Sequence, residues 1–112
     1  MKTSIAQALE RLPVAPTRVY PQGAPFVSML ARGSMSVEVF APKGADLQRP
    51  HAQDELYFIH SGTGQIIINE QRFDAAAGDA FFVAAGVKHC FENFSNDFVT
   101  WVVFYGPQGG EQ

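Results

Sequence analysis

Two histidines and one glutamate carry the chemistry that this sequence can offer a small ligand. His51 and Glu55 stand four residues apart at the entrance to an apolar run, with Gln53 between them. If that run is a strand, its two-residue side-chain period aims all three toward one face. His89 adjoins a second run that follows the turn Ala85-Gly86, and hairpins between the two runs would return it to the same wall. Two imidazoles and one carboxylate meeting in an apolar interior form a donor set that iron(II), manganese, nickel or zinc accept, with positions left for water or substrate. The same residues also fit a plainer arrangement, in which His51 caps a turn, Glu55 is solvated at a strand start and His89 lies on the surface. Spacing alone leaves both open. The third histidine, His60, falls on the face opposite Glu55 by odd spacing and is expected at the surface or in an interface. Cys90 points away from His89 and reads as a small buried hydrophobe, because only Lys88 stands near to activate a thiol.

The elements that must position these groups are short. From Thr3 or Ser4 as N-cap to Arg11, the Ile5, Ala8 and Leu9 spacing predicts one helix, which the proline of Leu12-Pro13 ends. Prolines punctuate the next stretch at positions 13, 16, 21 and 25. Every later segment is a brief β-branched or aromatic run closed by a turn signal. The runs are Phe26–Leu30, Ser34–Phe40, Leu56–His60, Gln65–Ile68, Arg72–Asp74, Ala80–Val83, His89–Asn93 and Phe98–Tyr105. Strands at this spacing predict an all-β sandwich or barrel. Ile66-Ile67-Ile68 and Trp101-Val102-Val103-Phe104 are apolar on both faces, so one face must pack in the barrel and the other against a second layer or another subunit.

A length of 112 residues suits one domain with one core. Hydrophobic residues make up 46% of the chain and charged residues only 17%, a surface poor enough in charge to imply partial cover by a partner subunit. Eight Lys/Arg against eleven Asp/Glu give a net charge of −3 without basic runs, so nucleic acid and anionic membranes are not expected partners. No stretch approaches the roughly 20 apolar residues of a membrane span. The N-terminal segment lacks a signal peptide's apolar core, and a single cysteine suits a reducing compartment, so the cytoplasm is the expected location.

The segment Gly78-Asp79-Ala80-Phe81-Phe82-Val83-Ala84-Ala85-Gly86-Val87-Lys88-His89-Cys90-Phe91-Glu92-Asn93 resembles the second motif of the cupin superfamily, with Ala84 where a proline is usual. Gly44 through Gly62 is similar to the first motif: His51 falls on its second histidine, Glu55 on its glutamate, and Gly62 closes it. Arg49 occupies the place of the first histidine, and the spacing from Gly44 is one residue short. Pro50–Tyr57 and Trp101–Pro107 look like small bacterial single-domain cupins. The resemblance implies a double-stranded β-helix, or jelly-roll, barrel over residues 34–107, a helix and leading strand packed on it over 1–33, and a fraying tail over 108–112.

It also implies a divalent metal ion, Fe2+, Mn2+, Ni2+ or Zn2+, on His51, Glu55 and His89, with Gln53 as candidate for a fourth, neutral ligand or else a surface glutamine. Arg49 cannot ligate, but it can clamp a substrate carboxylate, unless it pairs with Asp46 or Asp54 at the surface. Tyr57 is placed to present its hydroxyl to a ligand, or to serve as core. Phe91 and some of Phe81, Val83, Trp101 and Val103 would form the pocket wall. Cupins host many activities on one barrel. The expected activity is metal-dependent chemistry on a small organic molecule, with a dioxygenase leading. A non-redox isomerase or lyase on the same site and a sugar- or acid-binding module stand as alternatives. A homodimer is expected, with residues 14–40 in its interface.

Overall fold

The computed structural model describes residues 1–112. Ser4 caps helix α1 (Ile5–Arg11): its side-chain oxygen accepts a hydrogen bond from the Gln7 N–H at 3.2 Å. The helix ends at Leu12, whose N–H still reaches the Ala8 carbonyl, because Pro13 has no N–H to continue the ladder. Ala8 is the fully buried contact of this helix. It packs on Val27, Val39, Ala41 and Val99, with Ile5, Leu12, Met29 and Trp101 at the margin.

Eight strands follow: β1 (Phe26–Arg32), β2 (Met35–Phe40), β3 (Asp54–Ser61), β4 (Thr63–Ile68), β5 (Gln71–Ala76), β6 (Ala80–Val83), β7 (His89–Glu92) and β8 (Val99–Tyr105). They pair antiparallel in two sheets, β1-β2-β8-β3-β6 and β5-β4-β7, that face each other as the two walls of a jelly roll. The leading strand is therefore an edge of the larger sheet. Asn69 and Glu70 form the two-residue turn between β4 and β5, both with positive φ (49° and 72°), as a type I′ hairpin requires. Gly62 turns β3 into β4 at φ 81°, where an added Cβ would lie 2.6 Å from the Phe98 Cα.

Between the sheets lies one apolar cluster that includes Phe40, Tyr57, Ile66, Val83, Phe91, Phe98, Val102 and Phe104. Phe91 anchors it, edge-on to Tyr57 at 4.9 Å between centroids and tilted against Phe98 at 5.0 Å. In β8, Val102 and Phe104 face this interior while Trp101 packs against the helix cluster. The barrel wall thus takes the even-numbered residues of β8, and of the expected lining only Phe81, Val83 and Phe91 join the interior cluster.

The tail expected to fray is held. Gly109 N–H donates to the Ala52 carbonyl at 2.7 Å, Glu111 N–H donates to Asp54 Oδ2 at 3.0 Å, and Gly110 is buried against Asp54. A buried carboxylate with open acceptor positions outweighs the conformational freedom of the two glycines.

Candidate metal centre

Glu55 enters the barrel from the second residue of β3, and His89 opens β7 in the opposite sheet. His51 lies just before β3, in an irregular segment held by other means: its carbonyl accepts the Gly86 N–H at 2.7 Å, and its ring lies 4.7 Å from that of Phe104. The strand and loop positions converge. One ligand atom from each of His51, Glu55 and His89 lies within 4.8 Å of the other two. Glu55 is 1% and His89 3% exposed, so these two donors sit in the interior, with His51 half-buried at its edge.

The geometry of the His89–Glu55 pair is informative. His89 Nδ1 lies 2.8 Å from the Val87 carbonyl, which can only accept, so Nδ1 carries the proton and Nε2 faces the cluster. Nε2 stands 2.8 Å from Glu55 Oε1. Even so, Nε2 of His89 and Oε2 of Glu55 are buried without a well-formed hydrogen bond. The two groups are thus in close contact without the alignment of a good hydrogen bond. Neighbouring ligands of one first-row ion, with bonds of roughly 2.1 Å, stand about 3 Å apart. The residues present therefore fit a divalent ion, and the surface arrangement allowed by spacing alone is not what the chain adopts.

Electrostatics point the same way. Burial disfavours the imidazolium of His89, but the Glu55 carboxylate and the Val87 carbonyl outweigh it and raise the His89 pKa. Burial lowers that of His51, with Glu55 opposing and His89 assisting, so His51 offers a neutral lone pair near neutral pH. Tyr57 is 0% exposed and its pKa is raised well above the ordinary phenol value, by burial first and then by the Glu55 and Asp46 charges. Its hydroxyl stays protonated and donates to Gln48 Oε1 at 3.0 Å. Tyr57 belongs to the core through its ring and to the site through its oxygen.

Gln53 is not brought to the cluster. Its amide nitrogen donates to the carbonyls of Ser34 (2.8 Å) and Gly106 (2.9 Å), tying the start of β3 to the β1–β2 turn and the end of β8. The chain bends at Ala52 and Gln53, so strand alternation does not extend back from Glu55. Arg49 is exposed and forms an ion pair with neither Asp46 nor Asp54. His60 is exposed; Cys90 is half-buried, and burial raises its pKa, as suits an inert thiol.

Two residues that the sequence did not single out do face the site. Gln48 Oε1 lies 3.3 Å from His51 Nε2. Glu38 on β2 pairs with Val102, an inward residue of β8, and so shares its face. Burial, and then the Glu55 charge, raises the Glu38 pKa. No spacing signal pointed to Gln48, whose direction is set by its bond to Asp46. For Glu38 the available signal was alternation with Phe40.

A family described as Cupin domain matches residues 36–105. An uncharacterised protein of Streptomyces coelicolor is 38% identical over 85 residues, which cover 74% of this chain and 81% of that protein. Among solved structures, KdgF from a Halomonas species is similar with a TM-score of 0.64 and 13% identity, over 74% of this chain and 78% of that one. A DMSP lyase, DddQ, from Ruegeria pomeroyi is similar with a TM-score of 0.59 and 18% identity, over 72% of this chain and 46% of that one. With most of the chain matched and the motif histidines and glutamate gathered inside a two-sheet barrel, the protein belongs to the cupin family.

Proposed function

We propose that this cupin binds one divalent transition-metal ion through His51, Glu55 and His89 and acts on a small organic molecule held there by an oxygen donor. The observation that supports this is the convergence of ligand atoms from buried Glu55 and His89 and half-buried His51, two of the buried atoms lacking a well-formed hydrogen bond, in an apolar barrel. Two histidines and one carboxylate leave adjacent positions open, the donor set of non-haem iron(II) oxygenases, so the leading reaction is dioxygen-dependent cleavage of an enolate, carboxylate or catecholate. The ion, when bound, supplies Lewis-acid polarisation of the substrate oxygen and, as iron(II), reactivity toward dioxygen.

The rest falls to the chain. Tyr57 holds its proton and donates a hydrogen bond to a substrate oxygen that takes the place of Gln48. Arg49, exposed on the segment that carries His51, is free to clamp a carboxylate that projects from the mouth. Phe91, Val102 and Phe104 exclude water from the interior.

A second reading, a non-redox isomerase or lyase, is favoured by Glu38: an inward carboxylate with a raised pKa, close enough to Glu55 to feel its charge, suits a general acid or base. The test is oxygen uptake by the iron-loaded protein against a panel of small enols, carboxylates and catechols, with parallel anaerobic incubations. Uptake lost in His51→Ala supports the oxygenase. Anaerobic turnover lost in Glu38→Gln supports the isomerase or lyase. Metal and ligand binding without turnover leaves a binding module.

We also propose a cytoplasmic homodimer. Val37, Val103, Leu56 and Phe82 form one apolar row across the outer face of β2-β8-β3-β6, and Phe82 is 51% exposed. Met35, two residues before Val37 on β2, extends the same face within the expected 14–40 segment. A monomer in sedimentation at micromolar concentration would overturn the dimer.

A further inference from the structure

The loop 43–50 carries no regular structure, yet it is pinned from several sides. Leu47 N–H donates to the Tyr20 hydroxyl at 3.0 Å, and Lys43 Nζ donates to the Asn96 carbonyl. Asp46 is the central staple. Its Oδ2 accepts the Phe91 N–H of β7 at 2.8 Å and the Gln48 side-chain Nε2–H at 2.6 Å, while its Oδ1 accepts the Gln48 backbone N–H at 3.0 Å. An ionised carboxylate only accepts hydrogen bonds, so the Gln48 amide has one orientation available: nitrogen toward Asp46, oxygen away from it. That oxygen points at the site, 3.3 Å from His51 Nε2 and 3.0 Å from the Tyr57 hydroxyl.

We propose that Gln48, through Oε1, is the fourth protein ligand of the metal, oriented by Asp46. The inference rests on the metal-binding reading of His51, Glu55 and His89 and specifies the donor that replaces the first-motif histidine. A neutral amide oxygen suits the borderline-hard ions that imidazole and carboxylate also accept. The separation of 3.3 Å from His51 Nε2 is of the size expected between neighbouring ligands, as for the His89–Glu55 pair. An amide oxygen has two lone pairs, so Gln48 can ligate with one while Tyr57 donates to the other. Tyr57 then tunes the ligand it touches. The set becomes two histidines, one carboxylate and one amide, with the amide the most weakly held of the four and the one an anionic substrate displaces.

The experiment uses the full chain stripped of metal and loaded with Co(II). Affinity is read by chelator competition and coordination by the visible d–d spectrum, for the wild type, Gln48→Ala, Gln48→Glu, Tyr57→Phe and His51→Ala, with circular dichroism confirming the fold of each. Gln48→Ala is expected to bind Co(II) about 10- to 100-fold more weakly with an altered d–d spectrum, the range by which groups around a metal usually change affinity. Gln48→Glu keeps an oxygen at the same reach but loses the donor to Asp46, so it is expected to bind Co(II) more tightly than Gln48→Ala and with a d–d spectrum unlike the wild type's. Tyr57→Phe keeps the affinity within a few-fold. Wild-type affinity and spectrum in Gln48→Ala, with binding lost in His51→Ala, would overturn the fourth ligand and leave the three-residue site standing. Unchanged binding in His51→Ala would overturn both.

Discussion

Replacing His89 by Ala in metal-free protein should be far more damaging than neutralising its partner. The His89 and Glu55 side chains are 0% and 1% exposed and lie 2.8 Å apart. Removing the imidazole strands a carboxylate in an apolar interior, for which about 3–5 kcal/mol is the usual cost. At roughly 4 °C per kcal/mol for a domain of this size, that is a fall of about 12–20 °C in the melting temperature. Glu55→Gln removes the charge but keeps the shape, and should cost about 1–2 kcal/mol. The double variant Glu55→Gln/His89→Ala should therefore melt above His89→Ala alone. The pH dependence has a definite sign. Because the folded-state pKa of His89 is raised above 6.5, the stability it contributes is fully present below pH 6.5 and is lost as pH rises through the raised value. Chelator-treated proteins followed by circular dichroism between pH 5.5 and 8 supply the assay. If His89→Ala costs less than about 1 kcal/mol, or the double variant melts no higher than it, the argument from buried charge fails.

Added metal should stabilise the wild type by about 2.7 kcal/mol at a hundredfold excess over Kd, roughly 10 °C in melting temperature, and should leave His51→Ala and His89→Ala unshifted; elemental analysis of both variants should find no bound metal. Gly62→Ala should destabilise the fold by about 2 kcal/mol or more, since the backbone is held at φ 81° and the new Cβ meets the Phe98 backbone at 2.6 Å; a urea midpoint equal to the wild type's would contradict it. Hydrogen bonds from the Glu111 and Ala85 N–H groups hold the Asp54 carboxyl below its ordinary range, so the stability it lends is present above pH 3.8 and lost as pH falls further. Asp54→Asn should flatten that acid limb and speed amide exchange at Glu111, and unchanged exchange would mean that the tail is held by something else.

The fold was legible because its signals are local. Each of the eight strands coincides with a run that β-branched and aromatic residues and turn signals mark out, and the helix begins at Ser4 and stops before Pro13 as capping and proline chemistry require. The ends of β3 were less visible: Asp54 and Glu55 open it, and carboxylates read as loop until their partners are known. His51, Glu55 and His89 were legible for a similar reason, since two of them lie in strands and motif spacing fixed the third. Gln53 and Gln48 show where that reasoning stops. Counting by twos works only inside a strand, and both lie before β3 begins, where side-chain direction is set by long-range hydrogen bonds to Ser34, Gly106 and Asp46. No local property of the sequence reports a bond from Asp46 to a backbone N–H 45 residues away.

Glu55 and Tyr57 on β3 and His89 on β7 are fixed by sheet registers that the core itself enforces: Tyr57 pairs with Val102 and packs edge-on to Phe91, while Ile68 pairs with His89. Altering those positions means altering the barrel. Gln48 and Arg49 lie outside the sheets, on a segment held mainly by side-chain hydrogen bonds of Asp46 and Tyr20. Changes there leave the packing of the two sheets untouched while replacing the side chain that lies 3.3 Å from His51 and an exposed charge next to it in sequence. The Glu55–His89 pair is therefore the part that the sheets constrain, and the irregular segment that carries Gln48, Arg49 and His51 is where substitutions can change the cluster without changing the barrel.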